Sequence, residues 1–290
     1  GRGLGREEAM QLARQGARVV INDINRPDAE EAAQSAVEEI KGFGGEAIAV
    51  FGDCADSNDA DNLMQTTLDT YGDLNIMVNN AGFCRDKTIF GMSDDEFDSV
   101  VRVHLRGHFV NMRNVTAYWR NKAKAGEETY GRIINTASPS GIYGNIGQTN
   151  YGAAKAGIAA FTVISAMELA KYNVTCNALA PAALSRMTED LMGGGALTDE
   201  QREAMSPRWI SVITTWLCSP EAANVTGRVF DVRGSQLGIA EGWRLGPVAT
   251  QPDDPADMGP VVAELMANAA LNADMGGQPR GGTGRPDNEI

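Results

Sequence analysis

Short apolar runs alternate with segments of helical periodicity along most of this chain. The apolar runs predict buried β-strands at residues 17–22, 46–51, 75–79, 132–137, 174–179 and 226–234. Other segments predict helices at 28–42, 98–124, 151–171 and 209–218. Strands that alternate with helices in this way form parallel sheets with a helical layer on each face. The sequence therefore predicts an α/β protein with a doubly wound parallel sheet.

Length, charge and cysteine content exclude several classes of protein. The chain has 290 residues, 43% of them hydrophobic, which is enough for one large α/β domain with a substantial core. No uninterrupted apolar stretch reaches about 18 residues and no signal segment opens the chain, so we expect no membrane partner. A net charge of −13 argues against nucleic acid as a partner. The cysteines lack metal-ligand spacing and indicate reduced thiols in a cytoplasmic protein, with Cys84 as a candidate pocket residue; they are Cys54, Cys84, Cys176 and Cys218.

The clearest chemical signal is the segment from Ser138 to Lys155. Tyr151 and Lys155 stand four residues apart near the start of a predicted helix, so both side chains project from one face. A neighbouring cation lowers the pKa of a phenol from its usual value of about 10, which makes Tyr151 a candidate general acid/base. Ser138 directly follows the strand 132–137, and open α/β sheets bind ligands at such strand ends. For a Tyr-x3-Lys pair alone, an exposed tyrosine beside a solvated lysine is the alternative.

A glycine-rich segment, Gly1-Arg2-Gly3-Leu4-Gly5, precedes a helical pattern. Glycines let a backbone approach a pyrophosphate closely, and the N-terminus of the following helix offers free N–H groups and a positive dipole end. Gly3, Leu4 and Gly5 are therefore candidate cofactor-binding residues.

Three motifs together carry a family resemblance. They are Ser138-x12-Tyr151-x3-Lys155, the glycine segment and Asn79-Asn80-Ala81-Gly82. With them the chain resembles the short-chain dehydrogenase/reductase family over about its first 245 residues. The resemblance implies a Rossmann-like fold and the reversible oxidation of a secondary alcohol to a ketone with a nicotinamide cofactor. It also implies roles: Ser138 would bind the substrate oxygen, Tyr151 would exchange its proton, and Lys155 would lower the tyrosine pKa and bind the nicotinamide ribose.

Other positions acquire cofactor roles through the same resemblance. Asp53 would contact the adenine, with a helix cap as the alternative, and Pro181 would lie near the nicotinamide. The set that the resemblance implies beyond the glycine segment is Asp53, Asn80, Ala81, Gly82, Pro181 and Thr188, with Thr188 matched to a threonine that binds pyrophosphate or carboxamide.

Asp23, at the end of the strand 17–22, favours NAD over NADP. An acid there can accept both ribose hydroxyls of NAD and repels the additional phosphate of NADP. Arg2 and Arg26 are the opposing signs, because a basic residue at either place can accompany NADP in the resembled family. A turn-forming role in a loop is the alternative for Asp23.

In the resembled family the glycine motif follows a first β-strand. Matched to that motif, Gly3 and Gly5 are its second and third glycines, so the first glycine and the strand would precede Gly1. We therefore expect an amino-terminal truncation and a gap in the centre of the sheet.

His104 and His108 lie four residues apart in the predicted helix 98–124. Many members of the resembled family have an asparagine at the position of His104, which helps hold a water chain between the catalytic lysine and solvent. Histidine can donate and accept hydrogen bonds, so His104 is a catalytic candidate for a relay, without a direct transfer of the asparagine role. A metal site is the alternative for the pair, but no carboxylate or cysteine stands at matching spacing.

Shorter motifs around the site resemble one branch of the family. The segments 140–151, 103–107, 181–188 and 216–218 are similar to hydroxyacyl-CoA dehydrogenases of peroxisomal multifunctional enzymes and of actinobacteria. This implies a 3-hydroxyacyl-CoA substrate from fatty-acid or sterol side-chain degradation. The alternatives are a dehydrogenase of free hydroxysteroids or small ketones, and a non-catalytic NAD-binding protein.

Composition divides the chain into two parts. We expect an NAD-binding domain over residues 1–246 and a flexible extension over 247–290, with a short helix at 260–270 and disorder from 276 onwards. The helix 151–171 is apolar around most of its circumference, which predicts a homodimer or homotetramer, or else burial within its own subunit. The segment with Met192, Gly193, Gly194, Gly195 and Met205 predicts a substrate lid, or a plain surface loop.

Overall fold

The computed structural model describes residues 1–183 and 198–279. Within these ranges, a five-stranded sheet has the order β3-β4-β5-β6-β7, and β1 and β2 form a separate parallel pair. Neighbours in the larger sheet are parallel except for the antiparallel pair of β6 and β7. The strands are β1 Val19–Asp23, β2 Ala47–Phe51, β3 Ile76–Asn79, β4 Gly131–Thr136, β5 Val174–Ala182, β6 Val229–Arg233 and β7 Gln236–Ala240.

Helices connect the strands and cover both faces of the larger sheet. They are α1 Gly3–Arg14, α2 Pro27–Gly42, α3 Ser57–Tyr71, α4 Asp94–Val101, α5 Gly107–Lys124, α6 Pro139–Tyr143, α7 Thr149–Leu169, α8 Asp199–Ala204, α9 Arg208–Leu217 and α10 Met258–Asn268. This arrangement confirms the predicted doubly wound, Rossmann-like α/β fold.

Two neighbouring isoleucines of β4 show how the layers are built. Successive side chains of a strand point to opposite faces. Ile133 is buried in a cluster with Val115 and other residues of α5 and α7. Ile134 is buried with Leu12 of α1 and Leu217 of α9. Burial of one such side chain stabilises the fold by about 1.5–3 kcal/mol, so β4 holds both helical layers to the sheet.

The smaller sheet has its own apolar cover. Ile21 of β1 is buried with Met10 of α1 and with Ala33, Val37 and other residues of α2. Among the described residues, β1 pairs only with β2, and β3 pairs only with β4. The division between the two sheets therefore falls where the sequence analysis expects a gap.

The single helix predicted over 98–124 is divided in the structure. α4 begins at Asp94, where Ser93 and Glu96 form a reciprocal capping box. One π-helical turn, Arg102–Arg106, then separates α4 from α5. A π turn accommodates one extra residue in a helix, and such turns are frequent at functional sites.

α7 carries the predicted catalytic tyrosine and lysine. By length and composition alone, Thr149–Tyr172 is long and apolar enough to cross a membrane. One side of it is nevertheless buried against the larger sheet, where Ile158 packs on Ala178 and Thr162 accepts a hydrogen bond from Asn135 at 2.9 Å. This is the packing of a core helix.

Two features near the C-terminal end differ from the sequence expectations. The predicted strand 226–234 is shorter, and β7, which the sequence analysis does not predict, follows it after a tight turn. Residues 276–279, expected to be disordered, form a turn in which Ala273 bridges Pro279 and Met275 accepts a hydrogen bond from Arg233. The helix expected at 260–270 is α10.

Candidate active site

Ser138, Tyr151 and Lys155 meet at the carboxyl end of β4. Ser138 is the N-cap of α6, and its hydroxyl accepts the Ser140 N–H at 3.1 Å. Tyr151 and Lys155 both project from the first turns of α7. The buried Lys155 ammonium donates to the carbonyl of Thr136, the last residue of β4. The strand end thus fixes the lysine, and the helix cap fixes the serine.

The protonation of Tyr151 differs from the sequence expectation. Burial raises the pKa of Tyr151 to about 12, Cys84 and Asp86 add to the rise, and a side-chain hydrogen bond with Ser138 opposes it. The Lys155 ammonium lies 5.5 Å from the centre of the tyrosine ring. The expected lowering of the phenol pKa by Lys155 is therefore not what this arrangement gives.

Lys155 itself carries the larger effect of burial. Its exposed fraction is 1%, and burial lowers its pKa to about 7. Within residues 1–183 and 198–279 no carboxylate forms an ion pair with this ammonium, and a buried charge without such a partner is costly, which explains the direction. Of the pair, Lys155 is the group that titrates near neutral pH.

His104 lies in the π turn and packs edge-on against Tyr151. The two ring centres are 5.1 Å apart and the ring planes are nearly perpendicular, at 88°. Its Nε2 lies 2.8 Å from the Phe83 carbonyl oxygen and 3.2 Å from the Phe83 nitrogen. Burial lowers the pKa of His104 to about 3, and the Lys155 charge adds to this. The ring is neutral at physiological pH and supports the tyrosine from the side.

Gly82 lies directly against the His104 ring, a contact that the sequence did not reveal. A Cβ at Gly82 would lie 1.9 Å from Cε1 of the His104 ring, so only glycine leaves room for the imidazole. The motif Asn79–Gly82 therefore contacts His104 beside Tyr151 through Gly82, and the glycine segment through Asn80.

His108 lies beneath His104 and is also buried. Its Nδ1 donates to the His104 carbonyl at 2.7 Å. Burial holds the pKa of His108 well below its usual value. The ring of His108 is thus bonded to the backbone of His104, and this bond stabilises the π turn.

The glycine segment and Asp23 lie together at the cofactor side. A Cβ at Gly5 would lie 2.9 Å from Nδ2 of Asn80, so the glycine segment passes close to the end of β3. The Asp23 carboxylate ends β1 and accepts a hydrogen bond from the Ile24 N–H at 2.9 Å. Leu4 packs its side chain against the core that α1 and α9 share.

This donor set fits a nicotinamide dinucleotide. The N-terminus of α1 offers free N–H groups at the glycine segment, and a Cβ at Gly5 would narrow the space beside Asn80. The carboxylate of Asp23 follows at the end of the next strand. These are the groups that would hold a pyrophosphate and a ribose diol.

Other predicted cofactor residues differ in their setting. The Asp53 carboxylate accepts from Arg102 of the π turn at 2.7 Å and from the Ala55 N–H at 2.8 Å, so an ion pair engages the predicted adenine ligand. Ala81 is exposed, and Pro181 is half-buried in β5. Thr188 and, from the predicted lid, Met192, Gly193, Gly194 and Gly195 lie outside the described residues, and Met205 is the C-cap of α8.

Two amides beside Tyr151 were not singled out from the sequence. Gln148 and Asn150 are both buried, and their hydrogen bonds join α7 to the loop after β3. Their signal was their position, because polar residues that flank a helix N-terminus often bind backbone groups there.

Comparison with known proteins gives consistent similarities. A family model described as short chain dehydrogenase matches residues 1–192. The chain is 44% identical over 239 residues to hydroxyacyl-CoA dehydrogenase ChsB1 of Mycobacterium tuberculosis, covering 81% of this chain and 75% of that protein. It is 39% identical over 262 residues to peroxisomal multifunctional enzyme type 2 of Mus musculus, covering 88% of this chain but 34% of that protein. The crystal structure of a short chain dehydrogenase from Mycobacterium avium is similar with a TM-score of 0.86, 46% identity and 93% coverage of each chain.

Proposed function

The chain belongs to the short-chain dehydrogenase family, whose members are oxidoreductases with a nicotinamide cofactor, and on this premise we propose NAD-dependent oxidation of a 3-hydroxyacyl-CoA. The reaction is the reversible conversion of a secondary alcohol to a ketone. The observation that carries the proposal is the convergence of Ser138, Tyr151 and Lys155 at the end of β4.

The preference for NAD is supported by charges around the glycine segment. Asp23 places a carboxylate at the end of β1. Arg2 and Arg26, the two residues that could attract the additional phosphate of NADP, both lie against Asp28, at 2.7 and 3.6 Å. The two carboxylates, Asp23 and Asp28, match the two guanidinium groups in charge, which reduces the attraction of this end of the site for an additional phosphate.

In the oxidation direction, the side chains act on the alcohol oxygen. Ser138 holds this oxygen by a hydrogen bond, and Tyr151 accepts the hydroxyl proton as the carbon loses hydride. The bound nicotinamide supplies a hydride acceptor and a positive charge. In the reverse direction, Ser138 and Tyr151 stabilise negative charge that develops on the ketone oxygen.

Lys155 affects the ionisation of the Tyr151 phenol. In oxidation Tyr151 reacts as the phenolate, so this role requires the charged form of Lys155 to offset, in the complex with cofactor, the rise in the phenol pKa that burial causes. Its contact with Thr136 keeps the ammonium at the strand end, where we place its contact with the nicotinamide ribose. The His104 ring packs against the phenol and keeps it facing Ser138. His104 does not supply a proton, because its imidazole pKa is too low for that role at neutral pH.

The substrate class is supported by the names of two relatives, a hydroxyacyl-CoA dehydrogenase and a peroxisomal multifunctional enzyme. A free hydroxysteroid or small alcohol is the competing substrate, and a non-catalytic NAD-binding protein is the competing class. We further propose a cytoplasmic location, on the sequence indication of reduced thiols.

We also propose a homodimer or homotetramer. Apolar side chains of α5 and α7 meet at the surface, where Phe109 is 44% exposed and its ring centre lies 6.4 Å from that of the half-buried Phe161. Ile164 and Met167 extend this apolar face along α7, with exposed fractions of 50% and 69%. Such a face favours contact with a second copy.

The test is NADH formation by the purified protein. It is offered a series of 3-hydroxyacyl-CoA chain lengths and a free hydroxysteroid, with NADP in parallel. Preference for an acyl-CoA with NAD supports the proposal, whereas preference for the free steroid or for NADP overturns that part of it. Cofactor binding without turnover of any alcohol would favour the binding protein.

Two variants test the mechanism in the same assay. Tyr151→Phe is expected to lose turnover but bind NAD nearly as well as the wild type, because only the proton acceptor is removed. Lys155→Ala is expected to lose turnover and to weaken NAD binding. Equal turnover by Tyr151→Phe would contradict the assigned role.

A further inference from the structure

Asn150, the residue before Tyr151, uses all of its side-chain hydrogen-bonding groups in the interior. It is fully buried, and its Nδ2 donates to the carbonyls of Arg85 at 3.0 Å and Glu96 at 2.9 Å. Its Oδ1 accepts the N–H of Tyr151 at 2.7 Å. An N–H in the first turn of a helix has no partner within the helix, so this bond fixes the backbone of Tyr151.

The three partners of Asn150 belong to three different segments. Arg85 is in the loop after β3, next to Cys84 and Asp86. Glu96 is in the first turn of α4, which leads into the π turn with His104. Asn150 therefore joins the tyrosine to the two segments whose side chains surround it.

Gln148 makes a second connection to the same loop. Its Nε2 donates to the Asp86 carboxylate at 2.7 Å. Its Oε1 accepts from the Ser140 hydroxyl at 2.7 Å and from Asn145 at 3.0 Å. The Ser140 N–H donates to the hydroxyl of Ser138, the N-cap of α6. Gln148 therefore connects Asp86, through Ser140, to Ser138.

We infer that Gln148 and Asn150, together called the amide clamp, are positioning residues that set Tyr151 relative to Ser138 and the loop after β3. Neither residue exchanges a proton with substrate. The inference rests on the proposed function in one respect, since it assigns a kinetic consequence to a dehydrogenase site. The clamp's effect on the backbone of Tyr151 does not depend on the reaction.

Loosening of the clamp has a defined consequence for Tyr151. Burial has the largest effect on the pKa of its phenol and raises it, Cys84 and Asp86 add to the rise, and a hydrogen bond with Ser138 opposes it. In a loosened site water enters and reduces the effect of burial on the Tyr151 pKa. The freed backbone also lets the phenol move away from Ser138. Loss of the clamp is therefore expected to lower the maximal rate and to shift its pH dependence.

Asn177 provides a matched control. It is also fully buried, its Nδ2 donates to the Val225 carbonyl at 2.7 Å, and its Oδ1 accepts the Arg228 N–H at 3.1 Å. It thus bridges backbone groups as Asn150 does, but in β5 and the segment before β6. Replacement of either asparagine by alanine removes a comparable set of hydrogen bonds.

The experiment compares Asn150→Ala, Gln148→Ala and Asn177→Ala with the wild-type chain. Measurements are kcat, KM, the pH profile of kcat, NAD affinity, thermal stability, and hydrogen–deuterium exchange of the peptide that contains Tyr151. For Asn150→Ala we expect a kcat lower by about 10- to 100-fold, the scale of a misplaced catalytic group. NAD affinity is expected to stay within about twofold, while exchange at Tyr151 rises and the pH profile shifts.

Asn177→Ala is expected to lose stability with kcat per folded molecule, pH profile and Tyr151 exchange unchanged. Gln148→Ala carries the kinetic test if Asn150→Ala fails to fold. Kinetics and exchange in the clamp variants that match those of Asn177→Ala would overturn the inference. If the wild type oxidises no alcohol, the proposed function fails, and the exchange measurement still decides whether the clamp holds Tyr151.

Discussion

Glu8 brings a carboxyl group into the interior between α1 and α9. Its exposed fraction is 3%, and one carboxyl oxygen accepts from the Thr214 hydroxyl at 2.9 Å. Burial raises the pKa of Glu8 to about 7, and the bond from Thr214 opposes this rise. Charging of Glu8 thus acts against the packing of α1, the helix that begins in the glycine segment.

Replacement of Glu8 by glutamine is expected to flatten the pH dependence of stability. A carboxyl whose pKa is higher in the folded state contributes stability that is present below its unfolded pKa, about 4.5, and is lost as pH rises to about 7. The loss is on the order of 3 kcal/mol. Urea denaturation of the wild type and Glu8→Gln between pH 4.5 and 8 measures it.

Glu7→Gln is the control for this experiment. Glu7 is the neighbouring residue on α1 but is half-exposed. Its variant should follow the wild-type pH dependence. If Glu8→Gln did so as well, the pH dependence would have another origin.

At the scale of single residues, the sequence predicted which side chains form the site better than it predicted their pKa values. The spacing of Ser138, Tyr151 and Lys155 was sufficient to group them, because a strand end and a helix start fix their separation. The direction of the Tyr151 pKa was wrong, since burial, which spacing does not report, raises this pKa and Cys84 and Asp86 add to the rise. The contact between Gly82 and His104 joins distant segments and leaves no local pattern.

Among the elements, the π turn Arg102–Arg106 has the most effect on the site. It holds His104 against Tyr151 and sends Arg102 to Asp53, so one turn contacts both the catalytic and the cofactor side. A helical period over 98–124 predicted a helix but did not reveal this turn, because periodicity judged over many residues does not report the hydrogen bonding of a single turn.

The C-terminal turn 273–279 is connected to the active site through α6. The Tyr143 hydroxyl donates to Asp231 at 3.0 Å, and Arg233 makes two bonds to the same carboxylate, each 2.8 Å long. Arg233 also donates to the Met275 carbonyl at 2.7 Å. One guanidinium therefore holds both the turn and, through Asp231, the tyrosine that ends α6.

Arg233→Lys is expected to loosen the turn and α6 together. A single ammonium cannot reproduce two parallel bonds to Asp231 and a third to Met275. Hydrogen–deuterium exchange should therefore rise in peptides that cover 273–279 and 139–143. Arg208→Lys, which affects an exposed ion pair with Glu203, should leave both peptides unchanged. Retained protection in Arg233→Lys would show that other contacts hold the turn.

For the molecule as a whole, the alternation of strands and helices was sufficient to predict the fold. Each parallel strand needs a crossover, and apolar runs with helical segments between them leave few other architectures. The sequence did not predict β7 or the turn 273–279, since both are held by tertiary contacts rather than by local pattern. The boundary expected after residue 246 stays a prediction.

Association of whole chains is expected to depend on the apolar face of α5 and α7. Ile164→Asp places a charge in this face and should convert the proposed oligomer to smaller species in size-exclusion chromatography with light scattering. A specific interface commonly buries about 1,200–2,000 Å², and an unpaired charge in it is costly. Phe43→Ser is the control, because Phe43 is similarly exposed, at 41%, at the end of α2. An unchanged oligomer in Ile164→Asp would place the interface elsewhere.

The contact between α1 and α9 also determines when the site can be completed during synthesis. The bond from Thr214 to Glu8 spans 206 residues, and a ribosome that adds 5–20 residues per second needs roughly 10 to 40 s to cover them. During this interval the side of α1 that carries Leu12 has no α9 to cover it. The cofactor end of the site is therefore completed late on the ribosome, although its glycine segment precedes the other site residues in the sequence.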